Sequence, residues 1–322
     1  MECSIPPAGS KLSSAFFLRL KMKIAYLILA HRNPRLIQKA VETLSCAGAA
    51  FFIHIDAKFP LEPFQSIRGE NILFLEQRMS VYWGEFSQTE AIFHLMRHAL
   101  AAGRFDYFVL MSGSDFPLRS GNYIQNFLQA NQGGEFITLF KLPAPGMPLA
   151  RINTIRQATP HPVRRFVFRA LAKCGLVLGD FHKSCPGLEP YSGHTWWALS
   201  RAACEHILNF RASRPEVARF FATTHASDEM FIHTILGNSP FRENLRRHLV
   251  FEDWRSPAAH PEMISAQHLD YFESADKVAP RDTHGAGELL FARKFSDEEM
   301  SVADRVVAMI ARKEKLSVTQ TN

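Results

Sequence analysis

Between Ile24 and Phe140 the chain alternates continuously apolar runs of strand length with stretches whose apolar residues recur at helical spacing, and no other feature limits its fold as much. Ile24–Ala30 is the first apolar run. It is followed by His31-Arg32-Asn33-Pro34, in which Asn33 can cap a helix and Pro34 suits the first helical position. Leu36, Ile37, Ala40, Val41 and Leu44 then form a helical stripe. Ala49–Ile55 and Ile72–Leu75 read as further buried strands. Ser87-Gln88-Thr89-Glu90 has capping-box spacing and predicts a helix with Ile92, Leu95, Met96, Ala99 and Leu100 on one face. Tyr107–Met111 is the next strand, a helix is marked by Ile124, Phe127 and Leu128, and Phe136–Phe140 closes the series. Strands that are apolar throughout and alternate with helices imply a parallel sheet covered on both faces. In such sheets ligands bind beyond the carboxyl ends of the strands, which directs attention to His31, His54, Asp56, Ser112 and Asp115.

The second half is less regular. Strands are predicted at Trp196–Leu199 and near 248–253, and helices near 201–210, 228–236 and 297–312. Residues 151–179 are basic and partly amphipathic, which suits either a membrane-surface or acceptor-binding segment or an ordinary surface helix. At 322 residues the chain can bury a large core without disulfides or metal. Its five cysteines include no CxxC pair and no Cys/His cluster at zinc spacing, which argues against a disulfide framework and fits a reducing compartment. The net charge of +6 favours anionic partners without pointing to nucleic acid, for which no motif is present. No apolar run approaches the roughly 20 residues that span a bilayer. Residues 1–21 read as a disordered arm or a start-site artefact, with one domain over 22–315.

Several chemistries lack their signatures: there is no GxGxxG, Walker A loop, HExxH or GxSxG. Nor is there an Asp-x-Asp pair to hold a divalent ion on a diphosphate, so fixed cations or backbone donors must balance any bound diphosphate.

Ordered blocks carry a resemblance. They are Ile24–His31, Phe52-Ile53-His54-Ile55-Asp56, Val81-Tyr82-Trp83-Gly84, Leu110–Leu118, Tyr191-Ser192-Gly193 with Trp196–Ser200, Ser227-Asp228-Glu229, Asp253-Trp254 and Leu290–Phe295. Together they resemble the core-2/I-branching β-1,6-N-acetylglucosaminyltransferase family, which includes the peptide xylosyltransferases, in a bacterial-type member. The resemblance implies a GT-A-like α/β fold with a Rossmann-type, mostly parallel sheet, a nucleotide-sugar half over 22–140 and an acceptor half over 141–315.

It also implies roles. Glu229 falls in the block that supplies the family's catalytic base; with Ser227 as a helix cap it would sit in the first turn, where the macrodipole favours an ionised carboxylate. Asp228 reads as its structural neighbour. Lys294 matches a lysine that meets the donor diphosphate in place of a metal, with Arg281 or Arg293 as the arginine partner. His31, His54 and Asp56 fall at the nucleotide edge, Asp56 either accepting a uracil imide N–H or capping a helix. Asp115 stands where related folds place a metal carboxylate and is expected to order its loop and face the donor sugar. Trp254 matches an acceptor-stacking tryptophan, while Trp196 and Trp197 are expected to pack. The implied activity is metal-independent, inverting transfer of GlcNAc or xylose from a UDP-sugar to a glycan, lipid-linked glycan or peptide, with no cofactor. The expected location is the cytoplasm, peripherally at the inner face of the membrane. The alternatives are a metal-dependent sugar-nucleotide hydrolase or nucleotidyltransferase, and a non-catalytic glycan- or nucleotide-binding protein.

Overall fold

The computed structural model describes residues 21–153, 166–167, 170–171, 174, 179–255, 260–280 and 285–319. The first strands and helices are β1 (Ile24–Ala30), α1 (Pro34–Leu44), β2 (Ala49–Ile55), β3 (Ile72–Phe74), α2 (Phe86–Ala102), β4 (Tyr107–Ser112), β5 (Asp115–Pro117) and α3 (Gly121–Ala130). Strands β6 (Glu135–Phe136), β7 (Leu139–Lys141), β8 (Tyr191–Gly193), β9 (Ala198–Ser200), β10 (Leu245–Arg246), β11 (Val250–Glu252) and β12 (Phe291–Arg293) follow. The central sheet has seven strands in the order β10-β6-β9-β4-β1-β2-β3. Strands β4, β1, β2 and β3 are parallel, and β9 enters antiparallel to both β4 and β6. This is the expected GT-A-like α/β layout. Its continuous apolar runs are buried because helices cover the parallel strands; α2 lies against β1 and β2.

Helix α1 shows why the stripe was readable. Ile37, Val41 and Leu44 join the main core, whereas Leu36 and Ala40 join a second core around β5 and the terminal helix Met300–Thr319. The helix is therefore clamped between two apolar bodies.

Local start signals fared differently from periodicity. Asn33 occupies the cap position of α1 in a left-handed conformation, but its amide donates to Gly113 O (3.1 Å) and Ser114 Oγ (3.0 Å). The exposed helix N–H groups instead meet a distant carboxylate: Asp297 accepts from Leu36 N at 2.7 Å and Arg35 N at 3.1 Å. Helix α2 begins at Phe86, and Ser87 accepts from Tyr82 N (2.9 Å) rather than closing a capping box. The run expected as one strand over Phe136–Phe140 is divided between β6 and β7, because Thr138 turns aside to bond His248 (Oγ1 to Nδ1, 2.7 Å) and β7 leaves to pair with β8. Most of the basic segment 151–179, and Arg281, lie outside the described residues. Among the described residues no helix is long and apolar enough to cross a membrane.

Candidate active site

The ends of β1, β2 and β4 open onto a cleft of about 890 Å³, whose other wall comes from the second half of the chain. Of the residues singled out from sequence, His31, His54, Asp56, Glu229, Trp254, Arg293 and Lys294 line it; Asp115 lies just behind, and Arg281 is not described.

On the strand-end side, His54 is fully buried, and its Nε2 accepts from Met79 N at 2.9 Å. Burial, then the neighbouring His94, brings its pKa down to about 4, so it is a neutral group at physiological pH. His31 is exposed and tilts against Phe59. Asp56 caps no helix: its carboxylate accepts from Lys58 N (3.0 Å) and pairs with the Lys58 ammonium (3.0 Å).

Asp115 is buried, accepting from Ser112 N (2.6 Å) and Ser112 Oγ (2.8 Å). It is not among the residues that line the cleft, and these bonds tie it into its own loop beside Ser112. Arg293 Nε lies 3.2 Å from its Oδ1. Burial raises the Asp115 pKa, with Arg293 and the Ser112 bonds pulling against it. Arg293 is itself held on three sides, by Asp115, by Glu252 (3.8 Å) and by the Trp196 ring (4.4 Å). Lys294 is different. Its ammonium forms no ion pair with any described side chain, while burial, Arg293 and Arg32 push its pKa below the usual value. A half-buried cation crowded by other cations is a natural seat for an anion.

Across the cleft, Glu229 stands in a 3-10 turn, Ser227–Glu229, that precedes the helix Phe231–Gly237. The expected cap fails here: Ser227 bonds Thr89 (Oγ to Oγ1, 2.9 Å), and Glu229 does not lie in the first α-helical turn. The macrodipole argument therefore gives way to burial. Burial and the adjacent Asp228 raise Glu229 to about 7, against the opposing charges of Arg151 and His194. Arg151 Nη2 pairs directly with Glu229 Oε2. Asp228 is fixed by Gln88 (2.8 Å) and Thr195 (3.0 Å), in keeping with a supporting place. The turn is fitted onto the Trp83-Gly84 corner. Ala226 N donates to Gly84 O (2.8 Å), and Gly84 has φ +72 with His225 so close that a Cβ would lie 2.3 Å from Cε1.

Trp254 is 51% exposed at the cleft, with Nε1 donating to Glu252 Oε2 at 3.0 Å. Trp196 and Trp197 are buried, as expected of packing residues, although Trp196 also forms part of the cleft wall. Four participants were missed from sequence. Trp83 is 74% exposed at the cleft, and its block was in view without a role. Glu252 immediately precedes the Asp253-Trp254 block, and His194 stands beside Gly193; only the fold shows that these two meet, at 3.1 Å. Arg151 had no local signal, because its partner lies 78 positions away.

The fold and cleft define an α/β protein with a Rossmann-type sheet, a basic corner at the strand ends and a carboxylate facing it. The model of the Core-2/I-Branching enzyme family matches residues 24–273, and the chain belongs to that family. Among curated relatives, Xylosyltransferase oxt of Drosophila pseudoobscura pseudoobscura is 23% identical over 251 residues, covering 74% of this chain and 26% of the relative. Xylosyltransferase 1 of Homo sapiens is 25% identical over 295 residues, covering 85% of this chain and 29% of the relative. The chain thus spans between a quarter and a third of the length of these relatives. Among solved structures, glucosyl-3-phosphoglycerate synthase from Mycobacterium tuberculosis, in complex with Mn2+, UDP and phosphoglyceric acid, aligns at 16% identity over 56% of this chain and 57% of that one. Its TM-score is 0.28, too low to bear on the fold.

Proposed function

We propose that the protein is an inverting, metal-independent glycosyltransferase that moves a sugar from a UDP-sugar to a hydroxyl of a glycan, lipid-linked glycan or peptide. The observation that carries this reading is the presence, on the wall of one cleft, of a Lys294 ammonium with no ion pair among the described side chains and of a carboxylate at Glu229. A diphosphate needs fixed positive charge, and an attacking hydroxyl needs a base. In a single displacement the acceptor hydroxyl gives its proton to Glu229, and its oxygen forms the new bond to the anomeric carbon. The bond from that carbon to the diphosphate oxygen breaks, and UDP leaves with the electron pair, its charge met by Lys294. Inversion of an α-linked donor gives a β-glycoside. A pKa near 7 suits this task, because the base is ionised in part at working pH and still basic enough to accept the proton.

Metal independence is supported by how Asp115 is used. Its oxygens are committed to Ser112 and to the Arg293 guanidinium, so a cation of the chain stands against the carboxylate where a metal would need it. The named relatives are xylosyltransferases, which makes UDP-xylose the donor to test first and UDP-GlcNAc the second.

The test is a pair of measurements on the wild type and Glu229→Gln, with and without EDTA. UDP binding by calorimetry is expected in both proteins and unaffected by EDTA. Sugar transfer is expected to fall roughly a hundredfold or more in the variant, the usual contribution of a general base. Retained transfer in Glu229→Gln sinks the base assignment, and UDP binding that vanishes with EDTA sinks the metal-free reading.

A further inference from the structure

Glu252 is a buried carboxylate in the cleft wall that touches three other residues of that wall, and no part of the reaction above uses it. Its Oε2 accepts from Trp254 Nε1 at 3.0 Å and lies 3.1 Å from His194 Nδ1, while its Oε1 faces Arg293 Nη1 at 3.8 Å. The carboxylate can only accept, so the His194 imidazole donates to it. His194 is in turn fixed by its ring stack on His248 (4.2 Å between centroids) and by the His233 N–H donated to its carbonyl (2.9 Å). His248 is anchored by Thr138. The chain of contacts therefore runs from the sheet interior through two stacked imidazoles to one carboxylate, and from there to an exposed indole and a buried guanidinium.

We propose that Glu252 is a positioning residue of this cleft, holding the Trp254 indole on the acceptor side and the Arg293 guanidinium on the donor side through one carboxylate. The naming of the two sides rests on the proposed function; the contacts do not. Burial alone would raise the Glu252 pKa, but the His194 bond and the charges of His194 and Arg293 bring it down to about 2, so it stays ionised at any working pH. Two consequences follow from the geometry. The indole, half in solvent, is fixed by its single N–H bond with its ring free to face a bound sugar. Arg293 is pulled toward Glu252 and Asp115, and part of its charge is cancelled before any diphosphate arrives, while the Lys294 ammonium forms no ion pair with any described side chain. Glu252 thus weakens the anion site in order to fix its shape.

This makes a sign prediction that a merely structural role does not share. Glu252→Gln keeps the volume and an acceptor for Trp254 but removes one negative charge from the basic corner. UDP is expected to bind it more tightly, by roughly threefold to tenfold, as Coulomb attraction at an intermediate dielectric gives; a packing defect would weaken binding instead. Glu252→Ala removes the hold on Trp254 as well. In a Trp83→Phe background the remaining tryptophans are Trp254 and the buried Trp196 and Trp197, so acrylamide-sensitive emission reports Trp254. Glu252→Ala is expected to lower the anisotropy of that emission. UDP affinity by calorimetry on Glu252→Gln and anisotropy on Glu252→Ala are measured on the full chain, with thermal melting to show folding. Tighter UDP and lower anisotropy support the assignment. Weaker or unchanged UDP binding in a folded Glu252→Gln, or unchanged anisotropy in a folded Glu252→Ala, overturns it. If Glu252→Ala does not fold, Glu252→Gln decides. If the wild type binds no UDP, the donor reading has failed, and the anisotropy arm still judges the hold on Trp254.

Discussion

Replacing Arg151 by methionine is expected to move the acid limb of the transfer reaction upward. Glu229 must be ionised to take a proton, and burial and Asp228 place its pKa at about 7 despite the Arg151 pair. The wild-type kcat/KM should therefore fall with acid along a slope of one, with roughly half the base ionised at pH 7 and about a tenth at pH 6. Removing the guanidinium deletes an attraction that favours the charged form. The two side chains are 34% and 35% exposed, so solvent screens much of that attraction. The remaining effect lowers kcat/KM at pH 7 by roughly two- to fivefold and vanishes well above the limb. Arg151→Lys keeps the charge and should restore most of the wild-type profile. The assay is UDP release from UDP-xylose or UDP-GlcNAc across pH, with UDP affinity of each variant as the control. A wild-type limb near the ordinary glutamate value of 4.5 refutes the burial argument. A limb that stays in place in a folded, UDP-binding Arg151→Met refutes the role of the pair.

Three other outcomes follow from the same contacts. Glu229 has a folded-state pKa above its ordinary 4.5, so the native state holds the proton more tightly and loses stability as pH rises from 4.5 through 7; Glu229→Gln should melt above wild type at pH 8, with the gap closing below pH 4.5. Lys294→Met should weaken UDP binding by about tenfold or more, the loss of one charge-assisted contact, and should flatten its salt dependence, both read by calorimetry. Gly84→Ala combines a left-handed backbone at φ +72 with a Cβ 2.3 Å from His225, and is expected to cost about 1–3 kcal/mol in denaturant unfolding while loosening the turn that carries Glu229.

What could be read without the fold was whatever is encoded by periodicity. Strand β2 runs from Ala49 to Ile55 as its apolar run indicated, and the α1 stripe is the buried face of that helix, because burial of whole faces leaves a trace in every turn of sequence. Caps were misread for the converse reason. Asn33, Ser87 and Ser227 each have the side chain of a cap, yet each found a stronger partner elsewhere, and a single hydroxyl or amide leaves no repeated trace to arbitrate. The same asymmetry governs the cleft. Family blocks placed Glu229, Trp254 and Lys294 on its wall, since each block travels with its neighbours in sequence. The groups that set their charge do not. Arg151 reaches Glu229 from another element, His194 reaches Glu252 from 58 positions away, and Arg293, next to Lys294 in sequence, lies against Asp115. A candidate site residue can be picked out from its own segment, but its pKa belongs to the fold. Hence the burial that places Glu229 near 7 replaces the helix-terminus argument that its sequence alone had suggested.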